Sequence, residues 1–147
     1  MAQNTPAKKE NVPDSPLGRM YEQHIQFIRD HSVEGLLNQY TEDCLLISTM
    51  TPDHRPLYIR GHAELKKFFE ERIFALLKLE VVLAQWAETP DVLMMVENIS
   101  AEATDGSSFS CRFYDNWVIR GGKIAIHFAG VVQYPDGKFA GDIVAVP

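Results

Sequence analysis

Residues 107–119 are SSFSCRFYDNWVI, and this stretch carries the strongest indication of the architecture. Its odd positions from Phe109 to Ile119 are apolar apart from Asp115, whereas its even positions are mostly polar. Side chains alternate between the two faces of a β-strand, so a period of two predicts a strand with one buried face. The odd positions therefore form the buried face, and a carboxylate, Asp115, lies in its middle.

The neighbouring stretches have the same period of two and are separated by turn residues. Turns are predicted at Thr89-Pro90-Asp91, Asp105-Gly106 and Gly121-Gly122. The four long strands between and beside them are predicted at 79–88, 92–104, 107–119 and 123–134, with shorter extended pieces at 44–49, 57–60 and 142–146.

Helical spacing of apolar residues precedes these strands. It predicts one helix over 17–30, a short second helix capped by Ser32, and a third helix over 62–77. Helices that are segregated from a run of antiparallel strands indicate an α+β fold with a curved sheet closed by helices, rather than a parallel βαβ fold.

Length and composition indicate one soluble domain. The 147 residues suit a single domain over 16–147, preceded by a polar, proline-containing arm over 1–15 that we expect to be disordered. A net charge of −6 argues against nucleic-acid binding. No apolar run approaches the roughly 20 residues that span a bilayer. Without an export signal, Cys44 and Cys111 are expected to be reduced thiols, which favours a cytoplasmic location.

Strand register determines what surrounds Asp115. An isolated carboxylate on a buried face is costly, so it needs a partner. A two-residue turn at Asp105-Gly106 would place Asn98 on the inner face beside it. For the next hairpin two registers remain open: a strict Gly121-Gly122 turn pairs Asp115 with Phe128, and a bulged turn pairs it with His127.

Three short motifs occur in a familiar order. They are Val33–Leu37 leading through Tyr40 to Cys44, then Gly61–Leu65, then Gly121–Ile124. In this order and spacing the chain resembles the nuclear transport factor 2-like superfamily, in its SnoaL-like branch of polyketide cyclases and ketosteroid isomerase-like proteins.

The resemblance implies a cone-shaped fold, a ligand cavity inside the cone, and a homodimer. His127 matches the position of a histidine that points into the pocket in many SnoaL-like proteins, which supports the bulged turn. Asp115 resembles, by position, the inward carboxylic acid of ketosteroid isomerases. Ser48 stands where the isomerases have their base, and Ala129 where many cyclases have a carboxylate. A ketosteroid isomerase or an epoxide hydrolase with the usual catalytic residues is therefore not expected.

Asp115 and His127 are the predicted catalytic pair, because an aspartate that orients a histidine leaves it poised for acid–base chemistry near neutral pH. The ligand is expected to be small and hydrophobic, aromatic or polycyclic, and neither a metal nor a cofactor is expected. The predicted ligand-binding residues are His24, Tyr40, Met94, Asn98, Phe113 and Trp117.

Two functions remain open at this point. One is a cofactor-independent lyase or isomerase, such as a cyclase or dehydratase. The other is a non-catalytic dimeric module that binds a ligand or a protein, in which Asp115 and His127 only satisfy each other inside a structural core.

Overall fold

The computed structural model describes residues 12–49 and 55–133. Two α-helices lead into a sheet, and a third helix interrupts it before four long strands. The elements are α1 Pro16–Arg29, α2 Val33–Asn38, β1 Tyr40–Ser48, β2 Leu57–Arg60, α3 Gly61–Phe68, β3 Leu77–Glu88, β4 Val92–Glu102, β5 Ser108–Arg120 and β6 Lys123–Gln133. The extended piece predicted at 142–146 and most of the predicted arm lie outside the described residues.

Helix α1 begins at a side-chain cap. The Ser15 hydroxyl accepts a hydrogen bond from the Gly18 N–H at 3.0 Å, and Pro16 occupies the first turn. The helix buries one stripe, which includes Leu17, Tyr21 and His24. None of the helices in the described residues is long and apolar enough to cross a membrane.

The third helix is shorter than predicted. Its α-helical part ends at Phe68, and the chain continues as a π-helical turn over Phe69–Ile73. Such turns are rare and occur often at functional sites. This one lies over the inner face of the sheet and contributes Phe69 to the buried core.

The six strands form one mixed sheet in the order β2-β1-β6-β5-β4-β3. The sequence predicts an antiparallel sheet, and the β1–β6 pair departs from this because it is parallel. Strands β3 to β6 are antiparallel to one another in sequence order. The last of them, β6, pairs with the edge of β1 and runs parallel to it. Helices and core side chains lie against the concave face of this curved, unclosed sheet, so the fold is an α+β cone.

The turn between β4 and β5 differs from the prediction. Its loop has three residues, Thr104, Asp105 and Gly106, closed by a hydrogen bond of 3.0 Å from the Gly106 N–H to the Ala103 carbonyl. Gly106 has a φ of +85°, as a type I turn followed by a bulge requires. The register is therefore one residue away from the predicted one, and a shift of one residue exchanges the two faces of β4.

The turn between β5 and β6 has features of both hairpin registers that the sequence left open. Gly121 and Gly122 form a strict two-residue turn, with φ of +59° and +76°. A bulge at Ala125 follows inside β6, because Ile119 pairs with Ile124 whereas Val118 pairs with Ile126.

Neither predicted pairing for Asp115 occurs as a result. His127 lies opposite Trp117, and Asp115 lies opposite Ala129. His127 is nevertheless on the inner face, where it is 4% exposed, and it is the diagonal neighbour of Asp115.

Candidate functional site

A cavity of about 470 Å³ lies between the helices and the inner face of the sheet. Its walls are mostly apolar and come from α1, α3, the π-helical turn and strands β1 and β3 to β6. The volume lies within the range of roughly 300–1,000 Å³ typical of small-molecule sites.

Four polar side chains from different elements meet in the wall of this cavity. They are His24 of α1, Glu97 of β4, Asp115 of β5 and His127 of β6, and we call them the closed-end cluster. All four are buried, and none is more than 6% exposed. Buried polar groups of this kind must satisfy one another or a ligand.

Asp115 and His127 are joined directly. The Nε2 of His127 lies in hydrogen-bond contact with Oδ1 of Asp115, and its Nδ1 lies 2.7 Å from the Tyr40 hydroxyl. Burial raises the pKa of Tyr40, so this hydroxyl keeps its hydrogen. The hydroxyl can donate to Nδ1 of a neutral ring or accept from an imidazolium. In either charge state both nitrogens of His127 are occupied by protein groups.

Glu97 is the second carboxyl of the cluster, and it was not among the site residues predicted from the sequence. The Tyr21 hydroxyl donates to Oε2 of Glu97 at 2.5 Å. Burial, then the charge of Asp115 and a hydrogen bond with it, raise the pKa of Glu97 well above its ordinary value. These influences favour the neutral, protonated form of Glu97.

Asp115 is the ionised member of this carboxyl pair. Burial alone would raise its pKa, but the charge and hydrogen bond of His127, with smaller contributions from His24 and Trp117, outweigh it and leave the pKa lowered. One proton thus lies on Glu97 beside an ionised Asp115, an arrangement that like charges in close contact enforce.

His24 is held by a relay of two hydrogen bonds. The Gln39 side-chain amide donates from Nε2 to the Met20 carbonyl at 2.9 Å, so its Oε1 is the atom that faces His24. The Nδ1 of His24 lies 2.9 Å from that oxygen and must carry the hydrogen. Burial lowers the pKa of His24 to about 4, so the ring is neutral.

The structure brings together half of the eight predicted site residues at the cavity wall. Asp115, His127, His24 and Phe113 line it. Tyr40 and Trp117 are fully buried behind that wall. Tyr40 holds His127, and Trp117 packs its ring 5.0 Å from the ring centre of His24.

Met94 and Asn98 are placed wrongly by the sequence analysis. Both lie on the outer face of β4, where Met94 is 47% exposed and Asn98 is also exposed. The cause is the three-residue loop before β5, which puts Glu97 opposite Phe113. The strand itself carries a signal for this register, because its odd face is the more apolar one and includes Leu93, Met95, Ile99 and Ala101.

No group of three or more His, Cys, Asp or Glu side chains in the part of the chain that the structure describes is arranged to hold a metal ion. The chemistry available from this cluster is proton transfer by carboxyl groups and hydrogen bonding to a ligand.

The family follows from a match to a family model. The model of the SnoaL-like domain matches residues 21–127, and the chain belongs to this family. Among functionally curated proteins, none matches the chain significantly in sequence.

Solved structures with the same fold are numerous but distant in sequence. An NTF2-like protein of unknown function from Burkholderia pseudomallei superposes with a TM-score of 0.69 at 14% identity, covering 80% of this chain and 91% of that one. Rv0760c from Mycobacterium tuberculosis, in complex with estradiol-17β-hemisuccinate, gives 0.65 at 19% identity, covering 79% and 93%. A Δ5-3-ketosteroid isomerase from Mycobacterium sp. gives 0.64 at 17% identity, covering 78% and 92%. At these identities the likeness establishes the fold.

Proposed function

We propose that this protein binds a small apolar, ring-containing molecule in the cavity and moves a proton on it with the carboxyl groups of the closed-end cluster. The observation that carries the proposal is the placement of one ionised and one protonated carboxyl, Asp115 and Glu97, in the buried wall of an apolar cavity. Perturbed carboxyl pairs in clefts are typical of acid–base sites. Fold relatives that hold estradiol-17β-hemisuccinate or polyporic acid support a ligand of this class.

In this proposal the roles within the Asp115–His127 pair differ from the sequence-based expectation. Both ring nitrogens of His127 are engaged, by Asp115 and by Tyr40, so His127 acts through Asp115 rather than on the ligand. Asp115 accepts a proton from one atom of the ligand and returns it to another, such as the oxygen of a leaving hydroxyl, while Glu97 keeps its hydrogen bond to Asp115. His127 and Tyr21 hold the two carboxyls in place. The reaction needs no electron transfer, and it suits dehydration, isomerisation or ring closure.

A bicyclic β-hydroxyketone of the tetralone type tests this proposal, because loss of water converts it to a naphthol with a new absorbance. We expect the wild-type protein to accelerate the conversion, and Asp115→Asn to reduce the rate by about 10²–10⁴-fold, the usual contribution of a general base. Ligand affinity, followed by tryptophan fluorescence, should change far less than the rate.

The matched control is Asp91→Asn, which makes the same chemical change in the exposed turn before β4. That variant should retain the wild-type rate. Binding without turnover in the wild-type protein would contradict the catalytic proposal and favour the second candidate, a module that binds the ligand without converting it.

We also propose that two copies associate through the outer face of the sheet. One continuous row of residues crosses this face from β3 to β2, as the strand pairing shows: Ala87, Met94, Asn116, Phe128, Ile47 and Tyr58. Met94, Phe128 and Tyr58 are 47%, 38% and 55% exposed. A row of this length that is apolar apart from Asn116 is typical of an interface, and a second copy offers a self-complementary surface.

A further inference from the structure

The hydrogen bonds of the closed-end cluster converge on one carboxylate. The Nε2–H of His127 donates to Asp115, while Nδ1 of the same ring is engaged by Tyr40. From the other side, Tyr21 donates to Glu97. Each of these hydroxyl and ring groups is used within the protein.

The proton of Glu97 is also engaged. Its Oε2 accepts from Tyr21, and its carboxyl shares a hydrogen bond with Asp115 that raises the pKa of Glu97, which makes Glu97 the donor. Donors therefore reach Asp115 from both directions, and its carboxylate has only lone pairs to offer a ligand.

His24 completes the set with a further acceptor. Its Nδ1 hydrogen is fixed on Gln39 by the relay to the Met20 carbonyl. Nε2 of the neutral ring therefore carries a lone pair and no hydrogen. His24 lines the cavity together with Asp115, and neither side chain has a hydrogen left to donate to a ligand.

From this geometry we infer that the closed-end cluster selects ligands by a hydrogen-bond donor, a hydroxyl or N–H group whose hydrogen is received by Nε2 of His24 or by the carboxylate of Asp115. This inference rests on the proposed function and specifies its substrate class: ring-containing alcohols or amines whose polar group enters first. A carbonyl or an oxyanion placed against these two groups would face their lone pairs and the charge of Asp115.

Three tricyclic probes of the same shape test the inference: fluorenol, fluorenone and fluorene. Their dissociation constants can be measured by quenching of the intrinsic fluorescence, since Trp117 packs against His24 behind the cavity wall. We expect fluorenol to bind about tenfold more tightly than fluorenone, the difference that one well-placed hydrogen bond makes. Fluorene should lie between them or close to fluorenone.

Two variants separate the acceptor role of His24 from a packing role. Gln39→Met keeps the side-chain volume but removes the oxygen that fixes the hydrogen on Nδ1, so the ring can carry it on Nε2 and become a donor. The preference for fluorenol should then disappear or reverse. His24→Phe keeps a ring in place and should weaken the preference to the part that Asp115 supplies, whereas the control Gln23→Met, on the exposed side of α1, should keep it in full.

The outcomes distinguish this inference from the proposed function. Fluorenone binding as tightly as fluorenol, or more tightly, would overturn the donor selection and leave the ligand-binding proposal standing. An unchanged preference in Gln39→Met, in a variant that still binds fluorene, would remove His24 as the acceptor. Failure of all three probes to bind would overturn both.

Discussion

Glu97 and Asp115 show how one residue can control the protonation of another. Glu97 is 2% exposed, and its pKa is raised first because burial disfavours the charged form and then because the charge of Asp115 makes a second negative charge costly. In the unfolded chain Glu97 ionises near its ordinary pKa of 4.5. The folded state therefore binds more protons than the unfolded state once the pH exceeds that value, and its stability falls as the pH rises further.

The substitution Glu97→Gln tests whether Glu97 makes the protein less stable as the pH rises. Glutamine keeps the shape and the hydrogen bonds but has no proton to lose. We expect the free energy of unfolding of the variant, relative to the wild type, to increase as the pH rises above about 5, with a slope of at most about 1.4 kcal/mol per pH unit, the limit for one proton. Urea denaturation at a series of pH values measures it.

The free energies of unfolding of variant and wild type must be compared at each pH, because His24 changes the stability of both proteins with pH in the opposite direction. Its pKa is lowered from 6.5 to about 4, so its contribution to stability is present above 6.5 and is lost as the pH falls toward 4. Glu80→Gln, on the exposed side of the neighbouring strand β3, is the control. A difference between Glu97→Gln and wild type that stays constant with pH would contradict a protonated Glu97.

Among the elements, the loop between β4 and β5 controls which side of β4 faces the cavity. Three residues rather than two separate the strands, so Glu97 enters the closed-end cluster and Asn98 leaves it. The loop depends on Gly106, whose φ of +85° is accessible to glycine at little cost.

Gly106→Ala should therefore destabilise the protein through the backbone alone. An added Cβ would meet nothing within 4 Å, so no clash contributes. We expect a loss of about 1–2 kcal/mol in the free energy of unfolding, the cost of a left-handed conformation for a residue with a Cβ. Gly106→Asn should cost less, because asparagine tolerates this region better. Equal stability of Gly106→Ala and wild type in urea would argue against the three-residue loop.

Across the molecule as a whole, the two faces of the sheet differ in what they contact. The concave face forms the cavity, and the convex face carries the row from Ala87 to Tyr58 that we propose as the dimer interface. Association through the convex face would leave the cavity and its cluster within each copy.

Light scattering at micromolar concentration tests the association. The wild-type chain of 16.7 kDa should appear at twice its mass, and Met94→Glu should shift it to the monomer because a charge buried in an apolar interface is costly. Lys67→Glu, on the exposed side of α3, changes charge away from the sheet and should remain dimeric. A monomeric wild type would contradict the proposal.

Patterns along the chain were sufficient to predict the α+β class, the family resemblance, the inner face of β5 and the central place of Asp115 on it. The class and the inner face follow from the alternation and helical spacing of apolar residues, which depend only on positions close together in the chain. His127 was also placed on the inner face, although by its likeness to a family motif rather than by the turn that was expected.

The groups that surround Asp115 could be identified only from the folded arrangement. The contacts that define the cluster join residues far apart in the chain: Tyr21 and Glu97 are separated by 76 positions, and Tyr40 and His127 by 87. Such contacts depend on how α1 crosses the sheet and on strand registers set by a three-residue loop and a bulge. A register that slips by one residue reverses every side chain of a strand, so a local uncertainty of one position in the turn exchanged Glu97 for Asn98.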